Sequence, residues 1–233
     1  YKLPGNVAVT GVLEVKNGGS LTGSTIAIGT SGSTGAGLDL NNFTGDFAIG
    51  ANQTFKGSGT IDLRVGQTLA VSGTWAAGNS IGTNTVSGDL DLGGRVEIEL
   101  GTPGTLTSAG KSDRTLIDGE LTLLGSSSLV LKPTSDVETD GAHGAGAYLI
   151  FSGIAAPQDG FKLTGGFGSV DASLLGSGAN ALHAKVSYVT TGTTAGNPVT
   201  GYVQVAKVTT LTNVETVNAT TTADIGGLVR YVG

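Results

Sequence analysis

Three stretches combine residue types and spacing that chemistry uses. Gly78-Asn79-Ser80-Ile81-Gly82 has the spelling of a nucleophile elbow, in which the serine sits on a sharp turn between a strand and a helix. Thr83 to Leu92 reads as strand rather than helix, so Ser80 is expected at a structural corner. Asp136-Val137-Glu138-Thr139-Asp140-Gly141 places carboxylates at alternate positions ahead of a glycine, like the opening of a calcium loop. The closing bidentate acid would fall at position 147, which is Ala147. Asp136, Glu138 and Asp140 are therefore a calcium candidate set, with a solvated acidic loop as the alternative. The third stretch holds paired acids, Asp89/Asp91, Glu97/Glu99 and Asp118/Glu120. Two carboxylates roughly 5 to 9.5 Å apart can act as acid and base or nucleophile on a glycosidic bond. Outward strand positions also carry charge for solubility, and one tryptophan, Trp75, makes a poor platform for sugars. No catalytic residue is assigned.

Other motifs fall short of a site. His143 and His183 are forty residues apart with no cysteine near them, which is no zinc spacing. Glycine patterns at Gly57-Ser58-Gly59 and Gly176-Ser177-Gly178 lack the following helix that a phosphate cradle needs. Asn42, Asn52 and Asn218 head N-glycosylation triplets.

The elements that must position these residues are clearest between Gly73 and Leu100. Leu90 and Leu92, then Val96, Ile98 and Leu100, alternate with Asp89, Asp91, Arg95, Glu97 and Glu99. This is the period-two pattern of strands with one buried face, broken at Gly93-Gly94. Such a corner suits a hairpin or a coil that keeps turning the same way, and the local pattern leaves both open.

Gly78, Asn79, Ser80, Gly82, Gly88, Asp89 and Leu90 match the passenger-associated repeat of bacterial autotransporters and related surface proteins, which this stretch resembles. Ala77 and Ile81 stand where that repeat has prolines. Ser112-Asp113-Arg114, Gly119 to Leu123, Tyr148-Leu149-Ile150, Phe161 and Phe167 resemble the segments that follow in the same proteins. The resemblance covers roughly residues 70 to 205. It implies a right-handed parallel β-helix (β-solenoid) on a secreted protein, with a hairpin-like C-terminal cap, and it names no substrate.

Composition points the same way. Glycine supplies 41 of 233 residues. At roughly 0.5–1 kcal/mol each in regular strand or helix interiors, their summed cost would exceed the roughly 5–15 kcal/mol by which domains are stable. They are expected at corners, and a helical bundle is excluded. Cysteine is absent, which removes disulfides and thiolate chemistry. Methionine is absent too, even at position 1, and a removed signal peptide is the simplest reading. That predicts an extracellular or cell-surface location. No apolar run reaches the roughly 18 residues of a membrane span. The net charge of −6 and the absence of a basic cluster argue against nucleic acid as a partner.

Along the chain, Val7, Ile26, Phe47, Leu69 and Leu90 form a series with steps of 19, 21, 22 and 21 residues, which suits a solenoid. Residues 1–145 are read as coils, 146–205 as a coil and cap region of the same domain, and 206–233 as an extension. Pro133 to Gly146 is expected to be a long exposed loop, Asn197-Pro198 a turn, and Ala206 to Asn218 receives no firm structure. A solenoid has two open ends. Val7, Val9, Leu13 and Val15 at one, and Ile225, Leu228 and Tyr231 in the extension, are candidate assembly residues.

The expected function is a non-enzymatic extracellular structural protein that assembles with itself head to tail into a fibre or matrix. An autotransporter-type passenger acting as a surface adhesin is the alternative, and a polysaccharide-active β-helix enzyme a third reading. The expected partners are other copies of the chain and, second, a surface polysaccharide. No cofactor is expected beyond calcium.

Overall fold

Short runs of alternating aliphatic and polar residues, cut by glycine corners every few residues, leave the backbone room only for two- to eight-residue strands. In the computed structural model the runs up to Asp171, β7 apart, pair with the run one turn earlier, in parallel and in register. The structure describes residues 2–29, 35–104, 110–144, 146–154, 162–176, 183–189, 193–194, 197–198 and 202–208.

The strands recur in threes. The first coil holds β1 (Lys2–Leu3), β2 (Val7–Val9) and β3 (Val12–Glu14), and the second β4 (Ser20–Leu21), β5 (Thr25–Ile28) and β6 (Gly37–Asp39). The third holds β7 (Phe47–Ile49), β8 (Thr54–Gly57) and β9 (Thr60–Asp62), and the fourth β10 (Thr68–Val71), β11 (Thr74–Ala77) and β12 (Thr83–Ser87). The fifth holds β13 (Asp89–Leu92), β14 (Arg95–Leu100) and β15 (Arg114–Ile117), and the sixth β16 (Glu120–Leu123), β17 (Ser128–Pro133) and β18 (Gly146–Gly153). Two strands of a seventh follow, β19 (Lys162–Gly165) and β20 (Ser169–Asp171). The first member of each triplet builds a five-stranded sheet 1 from β7 to β19, with β1 and β4 paired separately. The second members build the seven-stranded sheet 2, β2 to β20, and the third members sheet 3, β3 to β18. The fold is a right-handed parallel β-helix.

Inward side chains stack coil on coil. On sheet 2, Ile26, Phe55, Trp75, Val96 and Leu129 lie in one column, each buried. Phe55 and Trp75 lie face to face, centroids 4.8 Å apart and planes 7° from parallel. On sheet 1 the column is Phe47, Leu69, Leu90, Leu121 and Leu163, and on sheet 3 Leu38, Ile61, Val86 and Ile117.

These columns correct the series read from spacing. Val7 and Ile26 belong to sheet 2, but Phe47, Leu69 and Leu90 belong to sheet 1. The partner of Ile26 is Phe55, 29 residues on, because eight residues separate β5 from β6 where two separate β2 from β3. The even steps joined columns on two faces. Coil length is uneven along the rod: Phe55 to Trp75 is 20 residues, Val96 to Leu129 is 33 and Leu129 to Val170 is 41.

Glycines do sit where side chains cannot. Every positive-φ residue described is glycine. Gly94 is the other case: a Cβ there would collide with the carbonyl oxygens of Gly73 and Ser72 on the coil below.

At the C-terminal end sheet 3 changes character. β18 pairs antiparallel with β24 (Tyr202–Val208), which pairs antiparallel with β21 (His183–Val189). This is the hairpin-like cap. Parallel pairing nevertheless continues beyond residue 145, through β18, β19 and β20. β24 also crosses the expected 205/206 boundary, because Tyr148 and Ala147 pair with Val205 and Ala206. Asn197-Pro198 is not a turn but β23 (Asn197–Pro198), paired with β22 (Thr193–Thr194).

Candidate functional site

Where each coil passes from sheet 2 to sheet 3, the chain must turn, and at this corner three successive coils carry extra residues. Coil 4 contributes Gly78 to Gly82, coil 5 the connection from β14 to β15, and coil 6 the connection from β17 to β18. The candidate chemistry-bearing residues Ser80, Glu99, Asp113 and Asp140 meet here.

Gly78 turns the chain at φ +83°, and a Cβ there would come within 2.6 Å of Asp113 Oδ1 and collide with Ser80 O. The turn leaves backbone N–H groups facing the next coil. Asp113, one residue before β15, answers one of them, its Oδ1 accepting from Gly82 N at 3.0 Å, and its Oδ2 accepts from Glu99 N, on β14 of its own coil, at 2.7 Å. Asp140 closes the stack from coil 6. Its Oδ2 accepts from Ser80 Oγ at 3.1 Å and from Thr134 Oγ1 at 3.0 Å, while its carbonyl accepts from Thr102 N at 2.8 Å. Tyr148 Oη, beneath the connection, accepts from Gly144 N at 3.0 Å and lies 3.0 Å from Gly101 O.

Two of the three carboxyl groups at this corner are buried. Asp113 is 2% exposed and Asp140 9%. Glu99 is half-buried, and its Oε2 is enclosed with no hydrogen-bond partner. Burial raises the Asp113 carboxyl to about 8 against the opposing backbone hydrogen bonds, and the charges of Glu99 and Asp140 push the same way. Burial also raises Glu99, helped by Asp140 and Glu97 and opposed by Lys132. Glu97 behaves differently. Burial acts upward there too, but hydrogen bonds from Lys132 and Arg95 outweigh it and hold the carboxyl below its ordinary range. Arg95 Nε lies 2.6 Å from Glu97 Oε1, and Lys132 Nζ pairs with the other oxygen.

Ser80 is not set up as a nucleophile. Strand β12 follows it where an elbow has a helix, and its hydroxyl hydrogen is directed to Asp140, which already serves Thr134. His143, in the same connection, instead lies 3.2 Å from Leu175 O. The backbone of His183 lies in β21.

The calcium candidates are not brought together. The stretch from Pro133 to Gly146 is no simple exposed loop, because Val137–Asp140 forms a single helical turn, α1. Asp136 caps it, Oδ1 accepting from Thr139 N at 3.0 Å, Glu138 faces solvent, and Asp140 points into the corner. The turn replaces the expected alternation, so three acids that share a face in extended chain take three directions. Among the described residues no three His, Cys, Asp or Glu side chains gather as metal ligands.

The paired acids separate likewise. Asp89 and Asp91 lie on sheet 1, Glu97 and Glu99 on sheet 2, and Asp118 and Glu120 straddle the end of sheet 3 and the start of sheet 1. Asp89 Oδ1 is occupied by Glu120 N at 2.7 Å.

Of the assembly candidates, Val15 is fully buried and Val9 nearly so, because both point into the column that coil 2 covers. Only Val7 and Leu13 are half-buried at the first coil's face. Ile225, Leu228 and Tyr231 lie outside the described residues.

Two features had little or no signal in the sequence. Asp113 stands just ahead of its strand like Asn6 and Asp46, and Asp89 opens its own; these last three each accept from the first N–H of a strand one coil on: Thr25 N, Thr68 N and Glu120 N. An acid or amide directly before an alternating run is the pattern that could have found it. Asn84, inward on β12 and 1% exposed, has both amide atoms enclosed without partners. Nothing in its neighbourhood of sequence marks it.

Comparison with family models, with curated proteins and with solved structures finds no match to this chain.

Proposed function

We propose that the chain is a non-enzymatic structural rod of the cell exterior that stacks end to end on copies of itself, forming a surface fibre or matrix. The observation that carries this reading is sheet 2. Among the described residues its seven strands run parallel from β2 to β20, and neither terminal strand has an outer partner. Val7 at one end is half-buried and Val170 at the other is 40% exposed. An edge of β20 offered to the β2 of the next copy continues the same ladder, a head-to-tail contact that does not close on itself. The exposed side chains of Val12 near the first end and Leu174 near the second add apolar area to the faces that would meet.

A second reading, an autotransporter-type passenger acting as an adhesin, is favoured by one observation. Residues that carry that resemblance, Gly78, Asn79, Ser80, Gly82 and Asp113, meet in one corner joined by the Gly82 N to Asp113 Oδ1 hydrogen bond.

Sedimentation of purified chain across a concentration series tests the first reading. Mass that rises with concentration, and falls back to one copy in Val170→Lys, supports it. One copy at every concentration in the unmodified chain overturns it. Among the described residues no helix is long and apolar enough to cross a membrane.

A further inference from the structure

Asn17 is the one asparagine of the chain that is followed by glycine. It lies between β3 and β4, exposed together with Lys16 and Gly18 in a tight turn where Gly19 N donates to Lys16 O at 2.8 Å. Gly18 takes φ +78° there, which suits glycine and hardly any other residue. Among the described residues neither Gly18 N–H nor Asn17 Nδ2 has a hydrogen-bond partner. A Cβ at Gly18 would meet nothing within 4 Å, so the space around the turn is open. Asn17 Oδ1, by contrast, accepts from both Thr44 N and Thr44 Oγ1. Two donors on that oxygen draw electron density from Cγ and stabilise the charge that an attacking nitrogen would place there.

The same clip has a structural task. Thr44 lies between β6 and β7, one coil on, and among the described residues β7 does not pair with β4. On that side of the rod side chains make the joins: Asn17 to Thr44, Asn42 Nδ2 to Glu14 Oε1 at 2.8 Å, and Gln53 Nε2 to Leu21 O and Gly23 O.

We propose that Asn17-Gly18 is a self-modifying site: Asn17 loses its side-chain nitrogen as ammonia, becomes isoaspartate, and so releases Thr44 and loosens the join between the second and third coils. This is independent of end-to-end assembly. Gly18 N gives up its proton to hydroxide and bonds to Asn17 Cγ. The Cγ–Nδ2 bond breaks, and the nitrogen leaves as ammonia after taking a proton from water, which closes a five-membered imide. Water then opens the ring. Attack at Cγ restores the normal backbone with an aspartate, and attack at the main-chain carbonyl carbon leaves Gly18 joined through Cγ, as isoaspartate. One water enters, one ammonia leaves, and nothing is oxidised or reduced. Aspartate keeps an oxygen where Thr44 needs an acceptor. Isoaspartate lengthens the main chain by a carbon and shortens the side chain, which withdraws that oxygen.

Warming the whole chain at mildly alkaline pH and mapping its peptides tests this. The peptide that holds Asn17 must gain the mass difference between an amide and an acid, and must be labelled by a methyltransferase specific for isoaspartate. In the isoaspartate form the Thr44 amide must exchange with solvent about fivefold faster than in fresh chain, the effect of losing one hydrogen bond of ordinary strength. In Asn17→Asp it must exchange as it does in fresh chain. No conversion in the folded chain over a period in which urea-unfolded chain converts completely overturns the proposal. So does conversion that leaves Thr44 exchange unchanged, and so does a Thr44 amide freed equally in Asn17→Asp.

Discussion

The corner between sheets 3 and 1 and the corner between sheets 2 and 3 solve one problem in two ways. At the first, the turn from Arg64 to Gln67 closes on a glutamine: Oε1 accepts from Arg64 N at 3.0 Å while Nε2 donates to Gly45 O at 2.6 Å on the coil below. Gln53 does the same between sheets 1 and 2, accepting from Gly50 N and donating to Leu21 O and Gly23 O. At the second, Asp113 and Asp140 take the place of the amide. An amide carries donors and an acceptor and no charge, so it serves N–H and C=O groups alike at any pH. An ionised carboxylate only accepts, so it reaches N–H and hydroxyl groups, and stacking several concentrates charge. The glutamine corners are indifferent to protons and the carboxyl corner is governed by them.

The largest effect should be a pH dependence confined to the carboxyl corner. Asp113 is raised from an ordinary 3.8 to about 8, so its contribution to stability is complete below about pH 4 and is lost as pH rises through about 8. Glu99 acts in the same sense. Glu97, held low, acts in the opposite sense and loses its contribution as pH falls below its ordinary range. Each pH unit by which folding moves a titration is worth about 1.4 kcal/mol, so the chain should be more stable by a few kcal/mol near pH 5 than near pH 9. Urea titrations at the two pH values check this. Equal midpoints would break the contrast between the corners.

Removing the amide gives the next effect. Gln67→Ala strands Arg64 N and Gly45 O at a site where Gln67 is 2% exposed. The loss should be about 1–3 kcal/mol and the same at every pH. A loss that grows with pH would show that the glutamine corner is coupled to the carboxyls. The smallest change runs the other way. Asn84→Val replaces an enclosed amide without partners by an apolar group of similar size, and should gain about 1 kcal/mol by thermal unfolding.

Much of this architecture is written in local pattern. Alternation from Leu90 to Leu100 identifies β13 and β14 with their inward faces, and the glycine clusters mark the corners, since positive φ and close backbone approach admit little else. The stacking partners are hidden, because Ile26 finds Phe55 across a corner whose length no local rule sets. The corner cluster is half visible: Ser80 and Asp140 stand out as chemistry, but as parts of an elbow and a calcium loop. Their actual relation spans sixty residues and depends on how many residues each coil holds. The single helical turn at Val137–Asp140 is equally hidden, because alternating acids read as extended chain until Asp136 is seen capping Thr139 N.

The ladders of all three sheets up to β17 join each coil only to the coils directly before and after it. A structure bonded this way is a one-dimensional array, so its folding needs no meeting of distant ends. Any two adjacent coils can serve as the nucleus, and the remainder accretes one turn at a time. The aromatic contact of Phe55 with Trp75 makes the third and fourth coils the natural place for that growth to begin.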